Sequence, residues 1–133
     1  MMKLFRALTF GIVLAIAAGV VHSCASAPVN LSPVGKEAWY STRVVKGLDV
    51  LRDTAIDANA QVPPLITTAE TRCIVTTHQT ILQTMQAKQQ GWAVTVSTAL
   101  DGLGKPGCLS PKAVTLMSPY VAVVKTAFVE IAK

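Results

Sequence analysis

His78 is the one histidine beyond residue 23, and it is the first residue to test for chemistry. A general base needs a nucleophile within reach, or a carboxylate to orient it. Asp49, Glu70 and Asp101 are carboxylates that folding can bring near it, but no sequence spacing ties any of them to it. The expectation is therefore a surface or half-buried helical histidine, with no catalytic residue assigned. A metal site fares no better. One histidine, two separated cysteines (Cys73, Cys108) and sparse acids give no ligand pair at useful spacing, so neither metal nor cofactor is expected.

Two other patterns invite a chemical reading. Asp49, Asp53 and Asp57 are four apart, which on a helix makes a carboxylate face able to share a divalent cation. Lys46 and Arg52 lie among them, so the expected role is an ordinary solvated face. Gly102-Leu103-Gly104-Lys105 looks briefly like a phosphate loop. It lacks the Gly-x4-Gly-Lys-Ser/Thr spacing and no strand precedes it, so it reads as a turn.

The elements that must position these residues are helical. Ser32-Pro33 is a start signal, a capping hydroxyl followed by proline in the first turn. Val44, Leu48, Leu51, Ala55 and Ala58 then recur at helical spacing, extended backwards by Trp39. A helix from about 33 to 61 follows. Val62-Pro63-Pro64 breaks it and predicts an antiparallel turn. The next segment runs from Leu65 to about Gln90, with Ile66, Cys73, Ile74, Ile81 and Met85 on its apolar side. The threonines that crowd it favour β-structure, but the apolar spacing of three to four favours helix. Gln79, Gln83, Gln86, Gln89 and Gln90 make its second half polar and uncharged; this face is either simply solvated or a contact surface.

Gly91 marks a junction. Trp92, Val96, Leu100 and Leu103 form a third apolar face, which ends in the glycines of 102–107. Ser110-Pro111 repeats the start signal. Val114, Met117, Val121, Val124, Phe128 and Ile131 trace the most regular stripe, with Pro119 predicting a kink near 118 or a short first turn. The fold class is all-α: a small three- to four-helix antiparallel bundle over 33–133. Its predicted core is Trp39, Val44, Leu48, Leu51, Ile66, Ile74, Ile81, Trp92, Val96, Leu100, Val114, Val121, Val124 and Phe128. Trp39-Tyr40 has a second reading, as aromatic rings at a lipid head-group level.

The first 23 residues are of another kind. Lys3 and Arg6 make a positive head, Leu8 to Val21 is an uncharged, mostly apolar run, and small residues follow. As a helix the run spans about 21 Å at ~1.5 Å per residue, short of the ~30 Å hydrocarbon core. It reads as a cleavable export signal over 1–23, with a retained signal anchor as the alternative. A short tether, 24–32, joins it to the bundle.

Val21-His22-Ser23-Cys24 resembles the lipobox of bacterial lipoproteins, with His22 standing where that family holds a small or aliphatic residue. The resemblance implies cleavage before Cys24 and a diacylglycerol on its sulfur. Ala25 rather than aspartate follows, which in Gram-negative lipoproteins implies transfer to the outer membrane. Ordinary signal-peptidase cleavage is the alternative, since Ser23-Cys24-Ala25 is a small-x-small site. The cysteine count fits a lipid on Cys24, because Cys73 and Cys108 are then left to pair in an oxidising compartment. Two buried free thiols are the other reading of that pair.

The formal net charge of +5 includes Lys3 and Arg6 of the leader, and the remaining basic residues are scattered without interleaved aromatics. No nucleic-acid partner is expected. A mild positive balance suits anionic head groups or a merely solvated surface. The chain as a whole resembles small envelope proteins of bacteria and their phages; for a phage-borne chain, lysis assistance or superinfection exclusion are natural roles. The expectation is an exported protein on the outer-membrane or periplasm-facing surface, held by lipid or signal anchor. It would act without catalysis on an envelope component or protein partner. The alternatives are a secreted binding or inhibitor module and a single-span lysis accessory protein.

Overall fold

In the computed structural model, residues 26–133 are described. Residues 1–23, expected to be an export signal, and Cys24 lie outside them. Four helices follow one another among the described residues: α1 (Pro33–Ala60), α2 (Thr68–Ala87), α3 (Trp92–Leu103) and α4 (Pro111–Ile131).

Local chemistry sets the helix starts. Ser32 Oγ accepts from the Gly35 amide at 3.1 Å, Thr67 Oγ1 from Glu70 at 3.1 Å, and Ser110 Oγ from Ala113 at 3.3 Å. Each bond satisfies an amide that the first turn leaves without a helical partner. Pro33 and Pro111 occupy first-turn positions, where a missing N–H costs nothing. At the far end of α2, Lys88 takes a left-handed conformation (φ 44°), and Gly91 does so before α3 (φ 80°). These two reverse the chain in a few residues.

α1 and α2 run antiparallel, and three side-chain bonds fix their register. Glu37 pairs with Lys88 near one end, Asp49 meets His78 in the middle, and Asn59 Nδ2 donates to the Ile66 carbonyl at 3.0 Å at the other. α1 also packs along α4, while α3 lies against α2 and more lightly against α4. Two apolar clusters fill the interior. One gathers Leu51, Ile74, Leu103, Leu109, Met117 and Tyr120; the other gathers Val44, Leu48, Ile81, Val96, Val124 and Phe128. Each large side chain so buried contributes about 1.5–3 kcal/mol. At the α1–α4 crossing, a Cβ on Gly47 would stand 2.8 Å from Val124 Cγ2, so the bare glycine permits the approach.

Several expectations need correction. α2 is shorter than the predicted 65–90, because Thr67 caps it and leaves Leu65 and Ile66 in the connection. α4 runs through Pro119 as one helix, so the short first turn does not occur; Pro119 falls on an exposed face. Trp39, Trp92 and Val114 are half-buried rather than central, and Leu103, Leu109, Met117 and Tyr120 carry much of the burial instead. Part of the expected 24–32 tether packs on the domain. Ala27 is buried and its amide donates to the Tyr40 hydroxyl at 3.2 Å.

Candidate functional site

His78 stands on the face of α2 turned towards α1. It is only 4% exposed, which corrects the surface or half-buried expectation. Its Nε2 lies 2.8 Å from Asp49 Oδ1. A carboxylate only accepts, so Nε2 carries the proton and donates it to Asp49. Nδ1 is buried without a hydrogen-bond partner. One ring nitrogen is therefore committed to Asp49, and the other is closed off from solvent.

Asp49 is also not the purely solvated acid that the spacing suggested. Its side chain is 42% exposed and reaches from the imidazole to Arg52 Nη1 at 3.5 Å. Arg52 Nε in turn donates to Asp53 Oδ1 at 2.9 Å. The hydrogen bond to Asp53 holds the Arg52 guanidinium above its ordinary range. Of the three aspartates, Asp49 and Asp53 thus share one arginine. Of the three carboxylates weighed as partners for His78, Asp49 is the one that meets it; Asp101 instead pairs with Lys125 at 2.8 Å. That hydrogen bond, reinforced by the charge of Lys125, holds the Asp101 carboxyl below its usual value. Among the described residues no group of three His, Cys, Asp or Glu could hold a metal ion. Gly102-Leu103-Gly104 closes α3 as a turn, with the Gly104 amide on the Asp101 carbonyl at 3.1 Å and Leu103 buried.

Cys73, on α2, and Cys108, in the connection before α4, are joined with their Cα atoms 6.1 Å apart. That separation is within the range a disulfide spans. Cys24, the expected lipid acceptor, lies outside the described residues.

A second constellation gathers where the described chain begins. Trp39 and Tyr40 meet edge to face, with centroids 4.9 Å apart, and the Arg43 guanidinium lies 4.0 Å over the Trp39 ring. The Tyr40 hydroxyl holds Ala27. Lys88, paired to Glu37, lies 5.7 Å over the ring of Trp92, which packs edge to face on Phe128 at 5.9 Å. Glu37 and Lys88 therefore bring the two tryptophan sites to one end of the bundle. The sequence carried a trace of this in Trp39-Tyr40, but nothing in it joined Tyr40 to Ala27 or Trp92 to the same end.

α4 is long and apolar enough to cross a membrane, with a mean hydropathy of 1.4 over its best window. Its Met117, Val121, Val124 and Phe128 are nonetheless spent on the two apolar clusters. Comparison with protein-family models, curated proteins and solved structures finds no match to this chain.

Proposed function

We propose that the chain is an exported helical protein, anchored by lipid at Cys24, that acts by non-catalytic contact with an envelope component or a partner protein. The observation that carries this reading is the leader: a Lys3/Arg6 head, an apolar run too short to span, and Val21-His22-Ser23-Cys24. The domain behind it suits a contact role. The buried His78 has one nitrogen on Asp49 and the other enclosed, which leaves no ring nitrogen to take a proton from a substrate. The Arg52–Asp53, Lys125–Asp101 and Lys133–Glu130 pairs likewise spend charge within the fold.

The test is the intact mass of the protein recovered from the membrane fraction, beside a Cys24→Ala control. A chain beginning at Cys24 with added diacylglycerol and acyl mass, absent from the control, is the expected result. A soluble product cut after Ala25 would replace this reading with a secreted binding module, which the Ser23-Cys24-Ala25 site favours. An uncut chain in the membrane would make residues 1–23 a working anchor.

A further inference from the structure

We infer that the end of the bundle bearing Trp39, Tyr40, Arg43, Lys88 and Trp92 rests on the interface of a phospholipid bilayer. This rests on the anchored reading above and adds to it which face of the domain meets the lipid. Three observations converge. The first is reach: Ala27 is three residues beyond Cys24 and is bonded to the Tyr40 hydroxyl. At most ~3.6 Å per extended residue, a lipid on Cys24 lies within roughly 11 Å of that contact. A bilayer entered by that lipid passes beside the start of α1.

The second is composition. Both tryptophans of the chain and Tyr40 occupy this end, the two tryptophan sites linked through the Glu37–Lys88 pair. The opposite end, where α1 turns into α2 and α3 into α4, has no tryptophan. Indole and phenol rings favour the head-group level, where an apolar body and a polar tip are both satisfied. The third is partial burial. Trp39 and Trp92 are half-buried, each with a cation over its ring, Arg43 and Lys88 respectively. With its cationic head over the ring, each half-buried indole and its cation form one amphipathic unit of the kind that suits the head-group level.

The full chain purified from membranes is reconstituted in vesicles of phosphatidylcholine and phosphatidylglycerol with bromine on the acyl chains, either near the head group or deep. Trp92→Phe leaves Trp39 as the sole reporter, and Trp39→Phe leaves Trp92. Shallow bromines are expected to about halve the emission of each reporter, with deep bromines quenching less. Circular dichroism of both variants checks that the helices are retained, and intact mass reads the anchor separately. An anchored chain whose reporters are untouched by bromine overturns the lipid-facing end while leaving the anchor intact. Rings shielded from acrylamide, without bromine quenching and with a doubled sedimenting mass, give the face to a second copy and also overturn it. A mass without lipid overturns the anchored reading, and this inference with it.

Discussion

Asp49 and His78, 29 positions apart, meet at 2.8 Å across the α1–α2 interface, the middle of three bonds that hold those helices in register. The imidazole is buried and its donor has this one acceptor, so the pair is sensitive to losing either half. Asp49→Ala is expected to cost about 1–3 kcal/mol by leaving a buried N–H unpaired. Asp49→Asn keeps an acceptor and should cost less. His78→Leu added to Asp49→Ala should recover part of the loss. Urea unfolding at constant slope reads all of them, and simple additivity of the two single changes would dismiss the pairing as an energetic link.

Gly47 and Val124 set how closely α1 approaches α4. Gly47→Leu should destabilise by about 1–3 kcal/mol through overpacking, despite leucine's better helix propensity. Val124→Ala removes the methyl group in the way. In that background Gly47→Leu should cost less, and thermal melting of the four proteins measures the coupling. An unchanged cost would mean the crossing is not limited at this point.

Cys73 and Cys108 close a ring across a sequence separation of 35. By the chain-entropy estimate such a bridge is worth about 3–4 kcal/mol. Alkylation of the unreduced, unfolded protein should leave both thiols unlabelled, and the Cys73→Ala, Cys108→Ala double variant should unfold at correspondingly lower urea. Free labelling of both would return them to the role of small apolar side chains.

Asp101 contributes stability with a defined pH sense. Its folded carboxyl titrates below the ordinary 3.8 because Lys125 donates to it. The contribution is therefore present above pH 3.8 and fades as acid carries the solution through the lower, folded value. The difference in Tm between the wild type and Asp101→Asn should shrink as pH falls below about 4. A difference that stays constant down to strong acid would show that the Asp101–Lys125 pair is not its source.

The all-α class and the starts of α1, α3 and α4 were legible because they are local. Ser32-Pro33 and Ser110-Pro111 announce their own caps, and stripes such as Val44, Leu48, Leu51 need only helical periodicity to be read. What stayed hidden is pairwise and distant. His78 lies on the side of α2 whose burial depends on where α1 is placed, and Asp49 looked like its exposed neighbours until α1 was rotated against α2. Leu109 escaped because its burial belongs to a connection rather than to a stripe. Ala27 escaped because a small residue in a proline-containing segment gives no sign that a tyrosine thirteen residues on will hold it.

The ring closed by Cys73 and Cys108 contains the whole of α3 together with the turn before it and the exposed 104–107 segment after it. A protease that cuts once anywhere in that stretch opens a loop and frees no fragment. The nicked protein keeps its mass plus one water, and its two pieces part only when a reductant is added. The exposed 104–107 connection is thus one where a single cut does not divide the molecule.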